Sequence, residues 1–363
     1  MNQGTVRALR GQADVTGQER RIAVRTTGTA ALGLMLAVGA AVSGVAVRPA
    51  DAGLVPVVGD RAVSAHVFVI VMENHGYADL IGSPAAPWIT HAAATYGVAD
   101  TSFAITHPSQ ANYIALTSGG IQGVTDDGDV TVDATNLADQ VEGAGLTWTA
   151  YMQSLDACGG DVLRAFCGGQ LYARKHDPFA SYRDIASDPA RLARIVDLSA
   201  LNGDLATGSV PDLVWITPDQ CHDMHGIEGS ADAPCDGADD QQRIAAGDAF
   251  LATTVDSITA STSWTLGSSI FITWDEAGFQ DTSGCCTADP GGGHILTLVI
   301  GQGQQVPLRS VVPYNHYSLL ASVEQLLGLD CLGQACAVAP MADLLAVAAV
   351  PDAPPASPAR SGW

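Results

Sequence analysis

His66-Val-Phe-Val-Ile-Val-Met72, running directly into Glu73-Asn-His-Gly76, decides how the chain folds. An uninterrupted apolar run of strand length, rich in β-branched residues, leaves no polar face for water, so both sides of the strand have to be covered. It stops abruptly at oxygen-bearing side chains. In open α/β sheets, ligands bind just beyond the carboxyl ends of the strands, which gives Glu73 and Asn74 a place in a site as well as in a loop.

Outward from this strand the same alternation recurs. Pro87–Tyr96 suits a helix with Pro in its first turn, and Asn136–Gly145 a helix closing on glycine, followed by a strand at Thr147–Met152. Leu213–Thr217, Ser269–Trp274 and Ile295–Ile300 read as further strands, Asp240–Ile258 and Tyr317–Leu327 as helices. The stretch 155–210, rich in Cys, Gly and charge, reads as an insertion over the sheet edge. The expected fold is α/β, a three-layer sandwich with a mostly parallel central sheet. Polar clusters come after three of the strands: Glu73-Asn74, Asp219-Gln-Cys-His-Asp-Met-His225 and Asp275-Glu276, while His294 precedes a fourth. Parallel strands share one carboxyl edge, so these groups are expected to converge there, with His294 reaching in from its loop. Carboxylates and amide oxygens suit hard divalent cations, and imidazoles widen the choice to zinc, iron or manganese.

The stretch Ala104-Ile-Thr-His-Pro-Ser-Gln-Ala-Asn-Tyr-Ile-Ala-Leu-Thr-Ser-Gly119 sets Ser109 behind Pro108 at the start of a short helix. A serine there is a preferred helix cap. The first helical turn also attracts anions, phosphate included, so a nucleophilic hydroxyl is the other reading.

Charge narrows the partners. With 38 acidic against 16 basic residues the formal charge is −22, which excludes nucleic acid for want of a basic footprint. An anionic substrate would need local positive charge, from a metal or from the Arg174-Lys175-His176 triplet, which contains the chain's only lysine. Residues 1–52, with Arg20, Arg21 and Arg25 before an Ala- and Gly-dominated apolar run and Ala50-Asp-Ala52 after it, read as a cleaved signal peptide, the alternative being a retained anchor. Residues 53–345 form the expected catalytic domain, and the Pro-rich 346–363 a disordered tail. Eight cysteines in an exported chain point to disulfides. Short loops favour Cys158–Cys167, Cys221–Cys235 and Cys331–Cys336, leaving Cys285 and Cys286 open between a vicinal bond and partners elsewhere.

The motifs V-I-V-M-E-N-H, T-H-P-S-Q-A-N-Y-I-A-L-T-S-G, Y-A-R-K-H-D-P-F, W-I-T-P-D-Q-C-H-D-M-H, F-I-T-W-D-E and P-Y-N-H-Y-S-L-L, in this order, resemble the bacterial phosphoesterase family of the alkaline-phosphatase superfamily. That family includes secreted acid phosphatases, phosphatidylinositol-3-phosphate phosphatases and phospholipases C. The resemblance implies a nucleophile at Ser109, supporting catalytic roles for Asp223 and His225, and a divalent metal cation on Glu73, Asn74, Asp275 and Glu276, with His294 added from the strand-end argument. Asn112, Arg174, Lys175 and His176 complete the expected set as substrate-binding residues. The expected protein is a secreted, metal-dependent acid phosphatase that forms a phosphoserine intermediate and acts on phosphorylated small molecules or phospholipid headgroups, phosphoinositides among them. It has no stable membrane insertion once the leader is removed. A phospholipase C using the same serine on phosphodiesters is the alternative enzyme. A non-catalytic metal-binding surface protein, which would not need Ser109, is the alternative of another class.

Overall fold

A computed structural model describes residues 65–229 and 234–345; the expected signal segment and Pro-rich tail lie outside the described residues. Among the described residues eleven strands are β1 (Val67–Met72), β2 (Gly97–Phe103), β3 (Trp148–Met152), β4 (Phe166–Cys167), β5 (Tyr172–Ala173), β6 (Ile195–Asp197), β7 (Leu213–Thr217), β8 (Ser269–Trp274), β9 (His294–Gly301), β10 (Leu308–Ser310) and β11 (Tyr314–Asn315). The helices are α1 (Tyr77–Leu80), α2 (Pro87–Thr95), α3 (Ser109–Ser118), α4 (Leu137–Gly143), α5 (Arg183–Ala186), α6 (Pro189–Leu192), α7 (Ser199–Thr207), α8 (Asp240–Thr259) and α9 (His316–Leu327). The main sheet has the order β10-β2-β9-β8-β1-β7-β3-β6, with β11 also on β2. Within it only β9 runs antiparallel to its neighbours, β2 and β8.

β1 sits at the middle, in parallel register with β7 on one side and β8 on the other. Its side chains alternate between two cores, as strand geometry requires. Val67, Val69 and Val71 pack with Ile114 of α3, Val141 of α4 and Leu320 of α9. Phe68, Ile70 and Met72 pack with Ile89 of α2, Leu205 of α7 and Leu251 of α8. Helices on both faces make the three layers that the unbroken apolar run demanded.

Two features differ from the sequence reading. β2 carries Asp100-Thr-Ser102 where a buried strand would show aliphatics, and its register on β9 shifts between Ala99 and Ser102, so no periodic apolar signal announces it. The middle stretch does more than cover an edge: it builds the edge strand β6, and a 3₁₀ turn at Arg174–His176 directs side chains inward. The four disulfides join Cys158–Cys167, Cys221–Cys235, Cys331–Cys336 and the adjacent pair Cys285–Cys286.

α2 shows how a helix start is fixed to the rest. Pro87 opens it without a capping side chain of its own, and the free N–H groups of Trp88 and Ile89 donate to the Asp248 carboxylate of α8 at 3.1 and 2.8 Å. Asp248 is buried, so removing it leaves those donors without a partner. Asp248→Ala is expected to cost about 2 kcal/mol of unfolding free energy, read from the urea midpoint at unchanged slope. A midpoint equal to wild type would show that water replaces the carboxylate.

Candidate active site

The carboxyl ends of the central strands deliver the carboxylates. Glu73 lies just past β1, Asp275 and Glu276 just past β8, and Asp223 comes from the loop after β7; all four are at most 2 % exposed. Backbone bonds lock the junction: Glu73 N–H donates to the Asp223 carbonyl at 2.8 Å and Asp275 N–H to the Met72 carbonyl at 2.8 Å. Asn74, in the left-handed region at φ 52°, donates its N–H to Asp275 Oδ1 at 3.0 Å.

Ser109 is the first residue of α3, with Pro108 in the cap position and Gly119, at φ 67°, closing the other end. Its side chain caps nothing. Instead Oγ donates to Glu73 Oε2 at 3.0 Å, and Ser109 lines a cavity of about 350 Å³ together with Asn74, Asp127, Lys175, His225 and Glu276. Of the two sequence readings, helix cap or reactive hydroxyl, the geometry lacks the bonds of the first.

His176 lies between two carboxylates, Nε2 at 3.1 Å from Glu73 Oε1 and Nδ1 at 3.2 Å from Asp223 Oδ2. Yet Glu73 Oε1, His176 Nε2, Asp223 Oδ2 and Asp275 Oδ2 are all buried without a well-formed hydrogen bond. Burial, with Asp223 and Glu276 nearby, raises the Glu73 pKa well above the usual carboxylate range even though Lys175 opposes it. Asp275 is raised by burial and by Glu73, and burial with the Asp275 charge pushes Glu276 up to about 10. His176 goes the other way, lowered by burial and by the cations Lys175 and His225. Buried acids held this way either keep protons or share a cation. The unpartnered oxygens and nitrogen fit a divalent cation, and Glu73, His176 and His225 each offer a donor atom within 4.8 Å of the others. Glu73, Asp223, Asp275 and His176 are the residues that could hold it, while the expected ligands Asn74 and Glu276 line the Ser109 cavity together with His225, whose Nε2 is left for proton transfer.

The remaining expected residues separate. Lys175 reaches the cavity, its Nζ 2.9 Å from Asp127 Oδ2 and 3.4 Å from His225 Nε2. Arg174 turns aside to Asp129 Oδ1 and the Val130 carbonyl, and lines a neighbouring cavity of about 270 Å³. His176, expected to bind substrate, is instead enclosed among the carboxylates. Asn112 has no free amide for a substrate: Oδ1 accepts from the N–H groups of Ile105 and Thr106, and Nδ2 donates to the Thr106 carbonyl at 2.8 Å, bracing the loop before Ser109. His294 is not brought to the other candidate ligands. Its ring stacks on Tyr77 at 4.9 Å and Nε2 bonds the Asp100 carbonyl at 2.8 Å, because β9 starts opposite Phe103, on the far side of β8 from β1.

Three contributors escaped the sequence reading. Asp127 accepts from Gln110 N–H at 3.0 Å and from Lys175, tying the lysine to the start of α3. His107 stands between Glu276 Oε2 and the Asp281 carbonyl, 2.9 Å from each. His316, at the start of α9, bonds the Asp275 carbonyl at 2.6 Å, and burial lowers its pKa to about 4. His107 and His316 fall inside two of the family-like motifs, which was the available signal; Asp127, in Thr125-Asp-Asp-Gly-Asp129, looks like any solvated turn.

The profile of the phosphoesterase family matches residues 83–330. The chain belongs to the phosphoesterase family. It is 31 % identical over 301 residues to a phosphatidylinositol-3-phosphatase of Mycobacterium tuberculosis, covering 80 % of this chain and 88 % of that one. It is 24 % identical over 277 residues to an acid phosphatase of Aspergillus fumigatus, covering 74 % of this chain and 56 % of that one. Among solved structures, a member of the alkaline phosphatase superfamily from Vibrio parahaemolyticus aligns with TM-score 0.49 and 14 % identity, over 74 % of this chain and 68 % of that one. The protein is therefore a phosphoric ester hydrolase.

The charge pattern of this phosphoesterase gives a two-way expectation for Asp275→Asn. Under chelation the variant should be at least as stable as wild type, since a buried carboxylate is removed while an oxygen remains for Asn74 N–H. With divalent metal added, wild type should rise in melting temperature and the variant should rise much less, by linkage. Equal metal-dependent shifts and equal metal content by elemental analysis would remove Asp275 from the ligand set.

Proposed function

We propose that this phosphoesterase is a secreted, metal-dependent acid phosphatase that hydrolyses phosphomonoesters, phosphoinositides among them, through a phosphoserine at Ser109. The observation that carries the reading is the Ser109 hydroxyl, bonded to Glu73 Oε2 at 3.0 Å and facing a cavity that also holds Lys175 and His225. The names of the relatives support the substrate class, and the four disulfides support an oxidising compartment. Among the described residues no helix is long and apolar enough to cross a membrane.

When bound, a divalent cation would neutralise charge on the phosphoryl oxygens and favour the ionised serine. The chain's own residues account for the protons. Ser109 Oγ forms the bond to phosphorus as the bond from phosphorus to the alcohol oxygen breaks, and the serine proton passes to Glu73. His225 in its imidazolium form gives a proton to the departing alkoxide. Water then attacks the phosphoserine, returns a proton to His225, and Ser109 recovers its own from Glu73. Lys175 supplies a fixed positive charge to the phosphoryl group; burial works against its protonation, but Glu73 and Asp127 outweigh it and raise its pKa.

His225 Nδ1 bonds the Gly226 carbonyl at 2.8 Å, which leaves Nε2 to carry the transferred proton. Burial and the Lys175 charge lower its pKa below 6.5. Its charged form is thus lost as pH rises through a value on the acid side of 6.5, and leaving-group protonation should be strongest in acid. His225→Gln should lose about 100-fold in kcat on an alkyl phosphate but far less on p-nitrophenyl phosphate, whose phenolate leaves unprotonated. Equal losses on both esters would assign His225 to binding.

Ser109→Ala is the direct test of the nucleophile. Turnover should fall on the order of a thousandfold or more, with stability changed by no more than about 1 kcal/mol. Acid quench with a labelled monoester should yield a phosphoserine peptide spanning Thr106–Tyr113 from wild type. A folded Ser109→Ala protein with near-normal turnover would overturn the mechanism.

A further inference from the structure

Among the described residues the two exposed phenylalanines both stand beside the reacting centre. Phe279, 65 % exposed, lines the Ser109 cavity, and Phe166, 46 % exposed, lines the neighbouring cavity that shares Asp127 and Lys175. A single exposed apolar side chain is ordinary on a protein surface. Phe279 differs in being held. Its ring stacks on His107 with centroids 4.8 Å apart and planes 27° from parallel. His107 is itself fixed at both ring nitrogens, by Glu276 Oε2 and by the Asp281 carbonyl at 2.9 Å each. One face of the phenyl ring is therefore anchored to the carboxylate cluster and the rest stands open at the mouth of the cavity.

The lining of this cavity is mixed in chemistry. Asp127, Lys175 and His225 bring charge and proton-transfer groups, whereas Pro108, Gly278 and Phe279 offer mostly apolar surface. A phosphate ester has the same division: the phosphoryl group needs the first set, and the alcohol half is left to the second. An aromatic ring stacks on another in an offset or edge arrangement and gains from contact beyond the area it buries. A platform that is already ordered loses little side-chain entropy on contact.

We infer that Phe279 is a specificity-determining residue for the alcohol half of the substrate, favouring phosphate esters in which an aromatic ring lies within one or two bonds of the ester oxygen. The inference rests on the Ser109 cavity being the phosphoryl site. Phe279 touches the leaving group without taking part in proton transfer, so its effect falls on binding of ring-bearing ligands.

Equilibrium binding of two non-hydrolysable probes to the full chain, phenylphosphonate and methylphosphonate, separates the two ideas by calorimetry. Wild type should prefer phenylphosphonate about tenfold, Phe279→Ala should reduce the preference to about twofold or less, and Phe279→Trp should retain it. Phe166→Ala should keep the wild-type ratio, and a loss there equal to that of Phe279→Ala would overturn the assignment. If both probes bind wild type equally, or Phe279→Ala keeps the full preference, the inference fails while the phosphoryl site stands. If neither probe binds, the phosphoryl-site reading fails and takes the inference with it.

Discussion

Four carboxylates removed from water at one sheet edge are the constraint on which the rest of this structure depends. Ionised groups in a low-dielectric interior are expensive unless paired, and Glu73, Asp223, Asp275 and Glu276 crowd together with few cations near them. Parallel strands bring this about. β7, β1 and β8 point the same way, so the residues just past the end of each arrive at the same place. The groups around them then make sense as responses to that crowding. His176 wedges between Glu73 and Asp223, Lys175 approaches with Asp127 behind it, and His107 and His316 hold Glu276 and the Asp275 backbone from outside. Even so, four buried polar atoms keep no well-formed hydrogen bond, and that deficit is what a divalent cation would satisfy.

The sequence is legible where burial leaves a local trace. β1, β7 and β8 are covered on both faces, so each is a short apolar run with polar residues directly after it, and their ends named three of the carboxylate clusters. α3, α8 and α9 carry ordinary start and stop signals, including Gly119 and Gly328 in left-handed conformations just past two of them. β2 left no such trace because half its length is polar: Ser102 bonds Thr297 across the sheet, and Tyr77 bonds Asp100, so its side chains are satisfied by hydrogen bonds in place of apolar contact.

Long-range pairing was harder to see. Arg174-Lys175-His176 reads as one basic patch, yet the turn splits it three ways: arginine to Asp129, lysine to the reaction cavity, histidine into the carboxylates. A 3₁₀ turn spaces consecutive side chains by about 120°, so neighbours in sequence need not share a destination. His294 shows the converse. It does begin a strand at the correct edge, but two strand positions from β1, and the adjacent Tyr77 and Asp100 satisfy it there. Strand-end position selects the edge of the sheet; the lateral strand order selects the members of the site.

Net charge adds a further step. A chain with formal charge −22 repels an anionic ester at a distance, and its only lysine stands at the cavity as a charge already shared with Asp127. Two effects of acid then act in the same direction. Protonation of part of the surface carboxylates weakens the repulsion, and a phosphomonoester, with a second pKa of about 6, loses one of its two charges. The imidazolium proposed at His225 is likewise a low-pH form, because burial and Lys175 lower its pKa from 6.5 and leave it protonated only further into acid. In the proposed reaction, substrate approach and leaving-group protonation thus favour low pH for separate reasons, one set by the whole surface and one by a single ring. An acid optimum that survives neutralising surface substitutions but disappears on changing His225 would assign it to the ring; the reverse would assign it to the field of the protein.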